Sequence, residues 1–369
     1  MEYQGLNNWE GLLDPLDNNL RAEILRYGNF VDAVYKSFEF DPSSPSYGSC
    51  KFPNNTLLDE CGLPNTGYKV TKHLTATSSI QQPRWMNKAP TWVTTQSSYI
   101  GFVAVCDDKE EIKRLGRRDI VIAYRGTTTC LEWLENLRAT LTHLPMPCKR
   151  WTTFHKDQTQ TTTPMVQSGF LNLYTSPCKS ENSESLQHMV RKEISQILQD
   201  YAGEPLSLTV TGHSLGAALA TLTAYDIKAT FISRLSMTTT VVSFGGPRVG
   251  NRRFRQQLEK QGTKVLRIVN SDDVVTKVPG LVLHVGEGHE MREQSGHVAE
   301  VQRWINKMEK IEWLYAEVGK ELRLCSKDSP YLNRVDFATC HQLTTYLHLV
   351  DGFVSSKCPF RATAKRFLP

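Results

Sequence analysis

Apolar positions along the chain change period several times, and each change marks a different kind of element. Over 18–36 they recur at helical spacing, at Leu20, Ile24, Leu25, Phe30, Val31 and Val34. The pattern predicts one or two helices broken near Gly28. The Pro-, Ser-, Gly- and Asn-rich stretch 41–65 predicts loop, and an irregular segment continues to Trp92. The period then shortens. Tyr99-Ile100-Gly101-Phe102-Val103-Ala104-Val105 reads as a strand. Ile120-Val121-Ile122-Ala123-Tyr124 reads as a second, almost wholly apolar, as expected of a sheet covered on both faces. The charged connection between them, around Asp107-Asp108-Lys109-Glu110-Glu111 and Arg117-Arg118, predicts a solvated turn.

Leu131, Trp133, Leu134, Leu137 and Leu141 form an apolar stripe over 130–141. A short helix follows Val166-Gln167-Ser168-Gly169-Phe170-Leu171, and 184–201 carries Leu186, Val190, Ile194, Ile197 and Leu198 on one face. Strands are expected at Leu206-Ser207-Leu208-Thr209-Val210, Thr239-Thr240-Val241-Val242-Ser243-Phe244 and Lys264-Val265-Leu266-Arg267-Ile268-Val269. An Ala-rich helix after Leu215 and a polar helix over 251–259 separate them. The C-terminal part predicts a helix near 298–311, a strand near 315–324 and a helix around 341–350. Such alternation predicts the α/β class, with a mostly parallel central sheet flanked by helices. The expected organisation is effectively one domain: an N-terminal extension 1–92 packed on a core 93–355, with a tail 356–369.

Composition narrows the function classes. The net charge of +5 is modest, and no basic groove interleaved with aromatics argues for nucleic acid. No apolar run approaches the roughly eighteen residues of a membrane span. A secretory h-region is absent from the N-terminus. The nine cysteines are odd in number, scattered and without a C-x-x-C pair. They favour free thiols in a reducing compartment over a disulfide framework or a zinc site, with a Cys50/Cys61 pair left open. The sequon Asn54-Asn55-Thr56 is idle without a secretory signal. The basic, Thr-rich stretch 149–163 is expected as an exposed loop that could equally touch anionic headgroups.

The chemistry centres on Gly212-His213-Ser214-Leu215-Gly216, which lies between the β-prone run 206–210 and the Ala-rich helix. Strand, tight turn and helix are the context of a G-x-S-x-G nucleophile elbow. The two glycines let strand and helix approach closely, Ser214 stands clear of the sheet, and the Leu215 amide points toward a developing oxyanion. A serine hydroxyl needs a general base and an orienting carboxylate, in chain order Ser, acid, His. Asp272 and Asp273 follow a strand directly, and Asp273 is the chosen acid. Among His284, His289, His297, His341 and His348, the favoured base is His341, expected to open the last helix, with His348 second. The Thr127 amide, after Tyr124-Arg125-Gly126, is expected as the second oxyanion donor. The 130–141 stripe follows that loop and is placed to act as a lid.

These residues resemble the class 3 lipases. Tyr124-Arg125-Gly126-Thr127, Gly169-Phe170, the elbow pentad, Phe244-Gly245-Gly246-Pro247-Arg248-Val249-Gly250 and Arg267-Ile268-Val269-Asn270 agree in order and spacing over roughly 95–350. Asn8-Trp9-Glu10-Gly11-Leu12-Leu13-Asp14-Pro15-Leu16, Arg26-Tyr27-Gly28 and Cys340-His341-Gln342-Leu343 with Tyr346-Leu347-His348 are similar to the plant branch of plastid phospholipase A1 enzymes. The resemblance implies an α/β-hydrolase fold with a lid helix at Leu131, Trp133, Leu134 and Leu137. It implies Ser214 as nucleophile, Asp273 as acid, His341 as base, and Thr127 and Leu215 as oxyanion donors. It implies release of fatty acids from glycerolipids at a membrane or lipid-droplet surface, at sn-1 of phospholipids and also from galactolipids or triacylglycerol, in some members supplying jasmonate precursors. No metal or organic cofactor is implied.

The chloroplast is the expected compartment, with the cytoplasm as alternative because no Ser-rich transit segment stands at Met1-Glu2-Tyr3-Gln4. Thr276 departs from the family, which often has Pro there. Two other readings stay open: an acyltransferase or soluble-ester esterase, and a non-catalytic lipase-fold signalling protein that binds partners.

Overall fold

The computed structural model describes residues 1–77, 97–127, 140–144, 163–177, 184–231, 237–279, 314–332, 336–358 and 360–361. The elements run α1 (Asn18–Ser37), α2 (Leu57–Glu60), β1 (Tyr68–Thr77), β2 (Ser97–Cys106), α3 (Lys109–Leu115), β3 (Arg118–Tyr124), β4 (Leu141–His143), β5 (Met165–Gln167), α4 (Ser168–Thr175), α5 (Leu186–Asp200), β6 (Leu206–His213), α6 (Leu215–Thr230), β7 (Thr238–Phe244), α7 (Arg252–Lys260), β8 (Lys264–Asn270), β9 (Lys320–Leu324), α8 (Phe337–His341) and α9 (Leu343–Gly352). Among the described residues the main sheet has seven strands in the order β1-β2-β3-β6-β7-β8-β9. β1, β2 and β3 pair antiparallel; β3, β6, β7, β8 and β9 pair parallel; and β4 and β5 form a separate antiparallel pair. The α/β expectation therefore holds, with an antiparallel pair added at one edge.

Parallel register decides where the chemistry can sit. Tyr124 pairs with Gly212 and His213 with Phe244, so these strands end at one edge. Their loops leave together, as expected for a site at the carboxyl ends of an open α/β sheet. Apolar clusters cover both faces. One gathers Ile120, Ile122 and Val210 with α4, α5 and α6; the other gathers Val121, Val242 and Ile268 with α1 and α9.

Four expectations need correction. α1 is one continuous helix through Gly28, capped by the Asp17 carboxylate, which accepts from the Asn19 and Leu20 amides. A Cβ at Gly28 would lie 2.3 Å from Leu347 Cδ2 and 3.1 Å from Phe244 Cζ, so this glycine serves close packing of α1 on α9 and the sheet. β1 was expected as irregular chain. Its register shifts between Val70 and Lys72 and between Leu74 and Thr75, and Lys72 between the shifts interrupts the apolar alternation of Tyr68, Val70, Leu74 and Ala76. The charged connection holds helix α3, capped by Asp108 on the Glu111 amide and ended by Gly116 at φ 69°. It buries no residue, so it has no apolar period to read. Finally, His341 ends α8 rather than opening the last helix, because Gln342 is extended (ψ 139°) and caps α9.

The lid residues Leu131, Trp133, Leu134 and Leu137, the histidines His284, His289 and His297, and the 298–311 helix lie outside the described residues. Leu141 opens β4.

Candidate active site

Ser214 sits between β6 and α6 with φ 58° and ψ −125°. A non-glycine residue here stores strain of about 1–3 kcal/mol. The surroundings enforce it. The Ser214 amide donates to the Phe244 carbonyl at 2.9 Å. A Cβ on Gly212 would lie 2.3 Å from the Gly216 oxygen, and one on Gly216 would lie 2.6 Å from the Tyr124 and Arg125 oxygens. Strand, helix and the neighbouring loop thus meet backbone to backbone, leaving the serine side chain one direction to take.

His341 Nε2 lies 2.8 Å from Ser214 Oγ, and His341 Nδ1 lies 2.7 Å from Asp273 Oδ2. All three residues are buried. Asp273 follows β8 and accepts twice more: from the Val275 amide at 2.9 Å and from the Tyr346 hydroxyl at 2.6 Å. A carboxylate only accepts, so the imidazole proton sits on Nδ1 and the Nε2 lone pair faces the serine hydroxyl. Burial beside Asp273 pushes the Tyr346 pKa well above the usual phenol range, so its hydroxyl stays neutral as a donor. Thr276 Oγ1 donates to the Asp273 carbonyl at 2.8 Å and so fastens the turn that carries Asp273. Asn270 Nδ2 donates to Ser326 Oγ at 2.7 Å and to the Cys340 carbonyl at 2.9 Å, tying the end of β8 to α8, which carries His341.

The rival candidates lie elsewhere. Asp272 turns to the Ser326 amide (3.2 Å) and Lys327 (3.4 Å). His348 Nε2 lies 2.8 Å from Ser329 Oγ, with its ring 5.2 Å from that of Phe360.

On the other side of Ser214 is the loop after β3. A Cβ on Gly126 would lie 2.9 Å from Ser214 Cβ, which brings Thr127 beside the serine. Thr127 Oγ1 is buried without a hydrogen-bond partner among the described residues. Arg125 is buried; its Nε donates to the Tyr99 carbonyl (2.9 Å) and its Nη1 to the Gly126 carbonyl (2.8 Å). That carbonyl shares a peptide plane with the Thr127 amide, so the guanidinium sets the direction of both. The guanidinium also lies 3.7 Å from the Phe38 ring centroid, and burial lowers its pKa to about 10. Leu215, the first residue of α6, has an amide that the helix itself leaves without an acceptor.

Tyr346, Tyr35, His213 and Arg125 did not emerge as site residues from spacing. Tyr346, Arg125 and His213 fall within the quoted motifs, which was their only signal. Cys50, Cys61, Cys106, Cys325, Cys340 and Cys358 are free thiols, which answers the Cys50/Cys61 question. Among the described residues no group of three or more His, Cys, Asp or Glu could hold a metal ion, and no helix is long and apolar enough to cross a membrane.

A Lipase (class 3) family profile matches residues 121–283. The chain is 64% identical over 369 residues to the chloroplastic phospholipase A(1) DAD1 of Arabidopsis thaliana, covering 100% of this chain and 79% of that protein. It is 40% identical to Phospholipase A1-Igamma1, chloroplastic, from the same plant, covering 95% of this chain and 67% of the relative. Identity to the chloroplastic galactolipase DONGLE, also of Arabidopsis thaliana, is 38%, covering 95% and 69%. Elbow, sheet order and relatives together place the chain in the class 3 lipase family of ester hydrolases, in its plant phospholipase A1 branch.

Proposed function

We propose that this protein is a serine acyl hydrolase that releases fatty acids from glycerolipids, with phospholipid sn-1 esters as its main substrate and galactolipids also accepted, in the chloroplast. The observation that carries the reading is the continuous 2.8 Å and 2.7 Å chain from Ser214 through His341 to Asp273 on a strained elbow.

Ser214 Oγ attacks the ester carbonyl while His341 Nε2 takes its proton. Asp273 holds the imidazole and stabilises its charged form. Negative charge develops on the former carbonyl oxygen, facing the Thr127 and Leu215 amides and the Thr127 hydroxyl, which has no partner among the described residues. The tetrahedral adduct collapses as His341 returns the proton to the departing glycerol oxygen. Water then enters, gives a proton to His341 and attacks the acyl-enzyme, and His341 returns that proton to Ser214 Oγ as the fatty acid leaves. An alkyl fluorophosphonate is expected to label Ser214 stoichiometrically, read by peptide mass spectrometry, with no label on Ser214→Ala. Label on another serine would overturn the assignment.

The Leu131, Trp133, Leu134 and Leu137 stripe is the proposed contact with the lipid surface. Replacing Trp133 and Leu137 by serine should lower turnover of vesicle lipid several-fold and spare a short soluble ester. Equal loss on both substrates would remove the lid from the account.

A further inference from the structure

A chain of hydrogen bonds that the chemistry does not use runs beneath the site. The Gly126 amide donates to Tyr35 Oη at 2.7 Å. Tyr35 Oη lies 2.8 Å from His213 Nδ1. His213 Nε2 lies 2.7 Å from the main-chain carbonyl of His341. The polarity of the chain is fixed at its far end. A carbonyl oxygen only accepts, so His213 Nε2 carries a proton. The His213 ring is neutral, because burial and the neighbouring His341 hold its pKa well below the ordinary imidazole range. Its Nδ1 is therefore bare. The Tyr35 hydroxyl donates to Nδ1, and the same oxygen is left to accept from Gly126.

Each link sits next to a part of the proposed machinery. Gly126 precedes Thr127, His213 precedes Ser214, and the accepting carbonyl belongs to His341 itself. The packing leaves no slack. A Cβ on Gly126 would lie 2.7 Å from Tyr35 Oη, and the His213 and His341 rings are 4.8 Å apart between centroids. His213 is 5% exposed, so water has little access to replace a broken link.

We propose that Tyr35 and His213 are positioning residues that hold the Gly126–Thr127 loop and the His341 backbone in register about Ser214 before substrate binds. The proposal rests on the roles assigned above to Ser214, His341 and Thr127. Neither residue touches the reacting atoms. Helix α1, through Tyr35, becomes part of the catalytic frame. Without the tyrosine hydroxyl, the Gly126 amide loses its acceptor and His213 Nδ1 loses its donor. The Gly126–Thr127 loop and the His213 ring, which holds the His341 carbonyl, then lose the shared contact that fixes their spacing. A displacement of about 1 Å costs on the order of a hundredfold in rate.

The test compares Tyr35→Phe, His213→Leu, His213→Gln and the double variant Tyr35→Phe/His213→Leu on a short soluble ester, with active sites counted by fluorophosphonate titration. Tyr35→Phe is expected to lower kcat about ten- to hundredfold and to change KM less than about threefold. The double variant should fall no further than the worse single, because both break one chain. His213→Gln, whose amide can still donate to the His341 carbonyl, should retain more activity than His213→Leu. Wild-type kcat in Tyr35→Phe, or losses that multiply in the double variant, would overturn the proposal. Where His213→Leu fails to fold, the kcat-against-KM split of Tyr35→Phe decides alone. Ser214→Ala runs alongside. If it retains turnover, the catalytic assignment fails; if it is dead while Tyr35→Phe is fully active, only the positioning role fails.

Discussion

Asp273→Asn is expected to lower kcat by about 10⁴-fold while the protein stays folded. The reason lies in how the three donors divide the carboxylate. Val275 donates to Oδ1, whereas His341 Nδ1 and Tyr346 Oη both meet Oδ2. In the asparagine variant the amide oxygen stays on the Val275 amide, so the NH₂ group takes the place of Oδ2. It donates to His341 Nδ1, the imidazole proton moves to Nε2, and Ser214 Oγ then faces a donor instead of a base. The size and shape of the side chain hardly change, so thermal unfolding should shift little. Steady-state turnover of a soluble ester beside a melting curve checks this. A loss under about tenfold would mean that Asp273 does not set the tautomer.

The second large effect is expected from Gly212→Ala, one methyl group at a site without substrate. The added Cβ would lie 2.3 Å from the Gly216 oxygen, 2.4 Å from its carbonyl carbon and 2.8 Å from the Ala217 amide nitrogen. All three are backbone atoms, so no side chain can rotate away. Either α6 moves off β6 or the elbow opens, and both displace Ser214 and the Leu215 amide. Overpacking of this kind destabilises by about 1–3 kcal/mol. A shift approaching 1 Å at the nucleophile costs about a hundredfold in kcat/KM. The expected variant is therefore less stable and at least a hundredfold slower. Wild-type kcat/KM in Gly212→Ala would show that the close approach of strand and helix is dispensable.

What could be read from the sequence was whatever a short run of residues decides by itself. The elbow is of that kind: two glycines, one serine, a β-prone run before and an Ala-rich helix after. β3, β6, β7 and β8 carry β-branched and apolar runs that declare themselves locally. β1 does not, because Lys72, between its two register shifts, falls where the alternation begun at Tyr68 and Val70 would place an apolar group. α3 has the caps of a helix and none of the apolar period. Asp273 is chosen over its neighbour from the sequence and its resemblance, and the structure turns the two side chains to different partners. The supporting residues were harder still. Tyr346 meets Asp273 across 73 positions and Tyr35 meets His213 across 178, and no local pattern encodes such a pairing. A tyrosine on an amphipathic helix reads as packing until the fold brings its hydroxyl to a partner.

The central claim is that Ser214 releases fatty acid from polar glycerolipids. Its most direct test is fatty-acid release from mixed vesicles of phosphatidylcholine, monogalactosyl diacylglycerol and triacylglycerol. Each lipid carries different acyl chains at sn-1 and sn-2, and wild type is run beside Ser214→Ala. The account predicts release from sn-1 of the phospholipid and the galactolipid by the wild type, and none by the variant. No release from any of the three lipids by folded wild-type protein, or equal release by Ser214→Ala, would contradict it.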